Sequence, residues 1–263
     1  MKKATIVLIL LWLNLTVCQV SAHHAMEYID LESTKTARPG EFLFHVHFDY
    51  LVDDADNPRL DHWEYTPGIA VGLPHHLMFD IHTHFAKFGL DHVVEEEREN
   101  FEPSGPSPFM EAVAVTLQWT PLNDWILDIG LSGTMEIPFK RATDLLGSED
   151  NVYEGMLMMG YDFWEHKNVT VNLGYEQEGD QDCTSWALGF RSPLSVDSHG
   201  IAAGIEFKGD LTGDEWSILP GIYSPVGHEG IIFKTGLEFG QVKTEAGTRL
   251  ETLRVSACLM FSF

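Results

Sequence analysis

Between Glu41 and Phe88 the chain alternates with a period of two, and its bulky apolar residues keep to one phase. Phe42, Phe44, Val46, Phe48 and Tyr50 alternate with Leu43, His45, His47 and Asp49. Trp63, Tyr65, Ile69, Val71 and Leu73 alternate with His62, Glu64, Thr66, Gly68, Ala70 and Gly72. Leu77, Phe79, Ile81 and Phe85 alternate with Asp80, His82, His84 and Ala86. Successive side chains of a strand point to opposite faces, so each stretch reads as a strand with one greasy and one wet side. The ionisable residues share their face with the small ones, as if the wet side were inside. Apolar outside and polar within is the pattern of a transmembrane β-barrel.

The same rhythm continues to the C-terminus. It predicts strands near 41–51, 62–73, 77–88, 109–119, 125–137, 152–164, 169–177, 184–192, 201–209, 216–224, 230–240 and 249–263. The expected fold is all-β, a transmembrane antiparallel up-and-down barrel of about twelve strands. An even count returns both chain ends to one side of the membrane. The connection at 192–200 is long for its place and leaves ten or fourteen strands open. The longest connection, 89–108, carries Glu95-Glu96-Glu97-Arg98-Glu99 and could fold inward to close the lumen.

The last strand is the most specific signal. Leu253, Val255, Ala257, Leu259, Phe261 and Phe263 alternate with Arg254, Ser256, Cys258, Met260 and Ser262. A terminal aromatic on an amphipathic final strand resembles the signal read by the outer-membrane assembly machinery, with Phe261 and Phe263 as its residues. Trp63, Tyr65, Trp119, Trp125, Tyr153, Trp164 and Trp216 fall near predicted strand ends, where aromatic girdles meet lipid headgroups.

The N-terminus looks like an export signal. Lys2 and Lys3 precede the apolar run Ala4 to Val17, and Val20-Ser21-Ala22 suits cleavage. The expected organisation is therefore a signal peptide over 1–22, a periplasmic N-terminal segment over 23–40 and an outer-membrane barrel over 41–263. The expected location is the outer membrane of a Gram-negative-type cell, in contact with outer-membrane lipid. After the signal there is no apolar run of about 20 residues, so no membrane helix is expected. Of the remaining cysteines, Cys183 and Cys258 fall near opposite ends of the strand map and are expected as two unpaired thiols.

With 40 Asp and Glu against 16 Lys and Arg, the formal net charge is −24. No basic patch is available for nucleic acid, and that class of partner is excluded. The acidic balance suits a lumen that attracts cations or polar surface loops. Candidate lumen-lining residues are Asp49, Glu64, Asp80, Asp128, Glu154, Glu206, Arg191 and Arg254.

At Thr66-Pro67-Gly68-Ile69-Ala70-Val71-Gly72-Leu73, followed by Leu77-Met78-Phe79-Asp80-Ile81, the chain resembles a known family. A strand closes on a glycine-containing turn, and the next opens with apolar–acidic alternation. This is similar to the bacterial outer-membrane proteins grouped as the MetA-pathway-of-phenol-degradation, or "transporter", family. The resemblance is best over 41–88 and implies an outer-membrane barrel with a transport role. The histidines are not part of that family's pattern.

Ten of the thirteen histidines lie between residues 23 and 92. Pairing the first three strands about their connections places His45 beside Gly68 and Gly68 beside His82. One step along, His47 lies beside Thr66 and Thr66 beside His84. Alternate strands are about 10 Å apart, and imidazoles leaning over a small neighbour could close that gap. His45, His47, His82 and His84 are therefore candidate ligands for a transition metal such as Zn or Cu, with Asp49, Glu64 and Asp80 nearby. A hydrated polar wall is the plainer reading of the same residues. His23-His24 at the mature terminus is a weaker candidate for Cu.

Some outer-membrane barrels cut lipids with a Ser or His on the lipid-facing rim. Here Ser132, Ser185, Ser217 and Ser256 face inward by parity, and no G-x-S-x-G motif occurs. No catalytic residue is assigned. The expected function is a channel or transporter for a small solute or metal ion. A non-conducting metal-binding barrel is the first alternative and a lipid-modifying outer-membrane enzyme the second.

Overall fold

The computed structural model describes the chain apart from residues 1–27, 53–60, 90, 92, 94, 102–106, 123–126, 147–149, 164–166, 195–200, 212–214, 226–229 and 244–248. The signal peptide, its cleavage site, His23-His24, Trp125 and Trp164 lie outside the described residues.

Twelve antiparallel strands close into a barrel in which each pairs with its sequence neighbours and the first with the last. They are β1 Phe42–Val52, β2 His62–Leu73, β3 Leu77–Lys87, β4 Phe109–Leu122, β5 Asp128–Pro138 and β6 Val152–Phe163. Then follow β7 Lys167–Glu178, β8 Gln181–Pro193, β9 Ala202–Asp210, β10 Glu215–Pro225, β11 Ile231–Lys243 and β12 Arg249–Ser262. The seam is a regular ladder from Leu43↔Ser262 to Val52↔Leu253. It is extended at the rim by hydrogen bonds exchanged between Phe42 and Phe263. Closure leaves no strand edge, and so no unpaired row of backbone N–H and C=O groups for lipid or another sheet to meet.

Amphiphilicity runs inside out. Phe42, Phe48, Ile69, Phe79, Ile81, Leu117, Leu131, Leu173, Ile222 and Leu237 are exposed on the outer surface. Tyr65, Trp119, Tyr153 and Trp216 are also exposed there, close to strand ends. Buried within are His45, Asp80, Gln118, Asp128, Asn168, Asn172, Glu206, Lys234 and Ser256. Phe44 and Phe261, on neighbouring strands of the seam, pair their rings at 6.0 Å on the same outward phase. Among the described residues no helix is long and apolar enough to cross a membrane.

The two rims differ. The start of β1, the end of β12 and the Pro74-His75-His76 turn share what we call the lower rim; the ends of β1, β3 and β5 share the upper one. At the lower turn His75 and His76 both take left-handed backbone angles, with φ of 65° and 58°. At the upper rim the connection after β5, expected as a polar loop, contains a short helix, α1, Lys140–Leu146. Ala142 and Leu145 of α1 pack with Ala86, Phe88, Val93 and Phe109 into a small apolar cap beside β3 and β4. The described part of the 89–108 connection joins that cap at Val93 and Phe101.

The larger difference concerns the segment expected as a periplasmic lead-in. Its described residues from Tyr28 to Ala37 lie inside the barrel, and the chain emerges at the exposed Arg38. Tyr28, Ile29, Leu31, Thr34 and Ala37 are all buried against the inner wall. A chain rich in Asp, Glu, Ser, Thr and Lys can enter such a lumen because the wall supplies polar partners for its side chains and backbone.

Candidate functional site: a plugged lumen and its histidine wall

Side chains of seven strands, β4 to β7, β9, β11 and β12, hold the internal segment. Lys35 sits between Asp128 at the start of β5 and Asp162 near the end of β6, the latter at 2.9 Å. Gln118 and Thr120 of β4 donate to the carbonyls of Ser33 and Thr34, each at 2.7 Å. Asn172 of β7 donates to the Glu32 carbonyl at 3.1 Å, and the Ser132 hydroxyl of β5 to the Glu32 carboxylate at 2.5 Å. Asp30 pairs with Lys208 of β9 and Arg254 of β12, both of which also reach Glu238 of β11. Lys234 of β11 donates to the Tyr28 carbonyl at 2.7 Å. The Tyr28 hydroxyl donates to Asn168 Oδ1 at 2.6 Å.

Glu206 is the centre of this arrangement. Its carboxylate, fully buried, accepts from the backbone N–H groups of Ile29, Asp30 and Leu31 at 2.8, 3.1 and 3.0 Å. It also accepts from the Tyr223 hydroxyl of β10 at 3.0 Å. An extended loop has N–H groups with no ladder to join, and one carboxylate here satisfies three of them. Charge-assisted bonds of this kind are the stronger sort. The wall is also shaped for the segment: a Cβ at Gly189 would lie 2.5 Å from the Tyr28 ring, and one at Gly221 2.5 Å from Ile29 Cδ1.

Charge is distributed accordingly. Burial works against the Lys35 ammonium, but hydrogen bonds to Asp128 and Asp162 outweigh it and hold the lysine above its ordinary range. Burial pushes the Glu32 carboxyl up; the Ser132 hydroxyl offsets part of that rise and nearby Asp80 adds to it. The wall cations Lys208, Lys234 and Arg254 all bind the internal segment, whose own Lys35 is taken up by Asp128 and Asp162. Towards the upper rim the wall carries Glu64, Glu136, Glu154 and Glu176, with Glu154 and Glu176 directly opposite each other on β6 and β7. Between the segment and the β8–β12 wall lies a cavity of roughly 370 Å³, lined by Asp30, Asn172, Ser185, Lys208, Ser217 and Glu238 among others.

The histidines occupy the wall of β1 and β3. His45 faces Gly68, Gly68 faces His82, and His47 faces Thr66. The β2–β3 register, with Tyr65 opposite Phe85, brings Thr66 level with His84. His45 leans over Gly68 so far that a Cβ there would lie 2.4 Å from its Cε1 and Nε2. This lean carries its Nε2 to 2.7 Å from Asp80 Oδ2, while His82 Nδ1 lies 2.5 Å from Asp80 Oδ1. One carboxylate therefore joins two imidazoles from strands that are not neighbours. His45 and Asp80 are 3% and 5% exposed. His45 Nδ1 has no hydrogen-bond partner among the described residues.

The other candidate residues fall into separate neighbourhoods. His47 Nε2 lies 3.4 Å from Cys258 Sγ, and His84 Nε2 lies 3.5 Å from Glu136. The rings of His45 and His47 are 5.6 Å apart and those of His82 and His84 5.1 Å. Asp49 accepts from Ser256, Glu64 sits 3.7 Å from His62, and Arg191 lies over the Tyr223 ring at 6.0 Å. Asp128, Glu206 and Arg254 are taken up by the internal segment. Cys183 and Cys258 are free thiols. The residues that sequence reasoning missed are Asp30, Glu32 and Lys35, whose signal was a run of mixed charges in a stretch too short to need them for solubility.

The sequence matches no protein-family model and none of the curated proteins. The MetA-pathway family suggested by residues 66–81 is accordingly not confirmed. Solved structures with the same fold are outer-membrane barrels. The COG4313 outer membrane channel from Pseudomonas putida F1 superposes with a TM-score of 0.60 at 10% identity, over 90% of this chain and 100% of that one. The KdgM porin, solved in complex with disordered oligogalacturonate, gives 0.54 at 10% identity, over 83% and 99%. The NanC porin gives 0.51 at 8% identity, over 83% and 98%. At these identities the likeness is one of fold, and the fold of this chain is that of the outer-membrane β-barrels.

Proposed function

We propose that the chain is an outer-membrane channel for a small, positively charged solute, narrowed from within by residues 28–38. The observation that carries this reading is the closed barrel with an apolar exterior and an interior lined by ionisable side chains. Such a wall is costly to bury in a dry core and natural beside water. The glutamates towards the upper rim face no cation of the internal segment and would draw cations into the mouth. The lower rim, where β1 starts and β12 ends, is the periplasmic side in this reading. Export through a cleaved signal peptide, and recognition of Phe261 and Phe263 by the assembly machinery, belong to it. So does a transport role of the kind the MetA-pathway resemblance implies. His45, His47, His82 and His84 face the lumen and not lipid, which argues against a lipid-cutting enzyme.

A second reading, a non-conducting metal-binding barrel, is favoured by two features. The internal segment fits the lower lumen closely, and His45, Asp80 and His82 bring three ligand atoms together. Planar-bilayer recording of the full chain, beside a variant lacking residues 28–38, separates the two. The channel reading expects steady conductance with a reversal potential on the cation side, larger in the shortened variant. Silence from both variants, each folded as a barrel, sinks it in favour of the second.

A further inference from the structure

We propose that His45, Asp80 and His82 form a transition-metal site on the lumen wall, taking an ion of the Zn²⁺ or Cu²⁺ class, and that Gly68 makes the site possible. The inference deepens the proposed function by naming an ion that the lumen retains. It uses that reading only in placing the site beside water.

Three candidate ligand atoms, one from each residue, lie within 4.8 Å of one another. They come from strands β1 and β3, which are separated by β2 and could not meet through a side chain of ordinary size between them. Gly68 is the intervening residue in both registers, His45↔Gly68 and Gly68↔His82. A methyl group at that position would lie 2.4 Å from the ligand nitrogen of His45 and 2.7 Å from His82 Cβ. The glycine is therefore the space in which the first imidazole lies.

The donor set narrows the ion to the transition metals. Two imidazoles with one carboxylate suit Zn²⁺, Cu²⁺ or Fe²⁺, whereas Mg²⁺ and Ca²⁺ call for oxygen ligands. An ion held at about 2.0–2.2 Å from nitrogen and oxygen sets N···O separations near 3.0–3.4 Å. The present contacts, 2.7 Å from His45 Nε2 to Asp80 Oδ2 and 2.5 Å from His82 Nδ1 to Oδ1, would need to open by only a few tenths of an ångström to somewhat under one about an ion gripped by both oxygens. His45 can make that adjustment because its ring is anchored at a single nitrogen, Nδ1 having no partner among the described residues. Neutral imidazoles would move their single proton to the nitrogen opposite the ion, so no net proton is released. His45 and Asp80 are nearly closed off, and the partly exposed His82 marks the side on which water or a passing solute would complete the coordination.

The test is metal content of the full chain in detergent, loaded with Zn²⁺ and dialysed, with Cu²⁺ loading for electron paramagnetic resonance. The wild type should retain roughly one Zn²⁺ per chain, and its Cu²⁺ signal should carry hyperfine structure from two nitrogens. His45→Ala with His82→Ala should abolish retention. Gly68→Ala, which keeps every ligand, should weaken affinity by at least roughly tenfold, the scale on which mispositioned ligands act. His75→Ala with His76→Ala should retain the ion. Retention by a folded His45→Ala, His82→Ala protein equal to wild type overturns the proposal, as does a wild type that holds no ion. Loss of the ion only on changing His23 and His24 assigns it to the terminus and overturns the proposal too. Should the double variant not fold, Gly68→Ala and Asp80→Asn decide: full retention by both overturns it, loss by both supports it. Absence of conductance bears on the channel reading alone and leaves metal retention unaffected.

Discussion

Glu206→Ala is the substitution that should release the internal segment. The Glu206 carboxylate is fully buried and accepts from the N–H groups of Ile29, Asp30 and Leu31 and from the Tyr223 hydroxyl. A hydrogen bond to a charged group contributes about 1.5–3 kcal/mol, and four to one group are far from additive. Removing the carboxylate also removes its own burial cost, so the whole effect is set nearer 3–5 kcal/mol, as when one partner of a buried charged network is lost. At about 1.4 kcal/mol per decade this lowers the seated population relative to the unseated one by roughly 10²- to nearly 10⁴-fold. Glu206→Gln keeps one acceptor oxygen and the shape, and should lose about half as much. The assay is amide hydrogen exchange of a peptide covering residues 28–38, with the barrel strands as internal reference. Exchange at Ile29, Asp30 and Leu31 should quicken by two to nearly four decades in Glu206→Ala, while β6 and β7 keep their protection. Unchanged exchange at those three amides would refute the reasoning, because it would mean that they are protected by something other than Glu206.

Two other substitutions probe the rims. His75 and His76 both hold left-handed backbone angles, which side chains with a Cβ disfavour, so His75→Asn with His76→Gly should stabilise the barrel by about 1–2 kcal/mol. Urea unfolding followed by heat-modifiable gel mobility reads this, and a lower midpoint would contradict it. Leu145→Ala in α1 empties part of the apolar cap formed with Val93 and Phe109, a deletion that costs about 2–3 kcal/mol at a buried leucine. Protease cutting within the 88–108 connection should accelerate with the barrel intact; no change would show that α1 does not hold that connection.

How much of this was legible in the sequence depended on whether a feature repeats. The strand His62–Leu73 was read at both ends, because one phase error would send Tyr65 and Ile69 into the lumen and Glu64 into lipid. The His45–Gly68–His82 register followed from counting outward from short connections. The helix Lys140–Leu146 was not legible, since seven residues hold too little periodicity to distinguish about two turns of helix from a polar loop. Nor was the internal segment. A plug that packs on water-lined walls needs no apolar face, and its partners are remote in sequence, from 85 residues for Gln118 to Ser33 up to 224 for Arg254 to Asp30. The lean of His45 towards Asp80 is similarly a property of the missing Gly68 side chain, which alternation alone leaves as one more small residue.

Everything rests on which face of each strand meets lipid. Nitroxide labels placed singly at Phe79, Asp80, Ile81, His82, Thr83 and His84 of β3, in a background of Cys183→Ser and Cys258→Ser, test this in a bilayer. Labels at 79, 81 and 83 should relax with dissolved oxygen, and those at 80, 82 and 84 with a water-soluble nickel chelate. The opposite phase, or no alternation, would contradict an inside-out barrel.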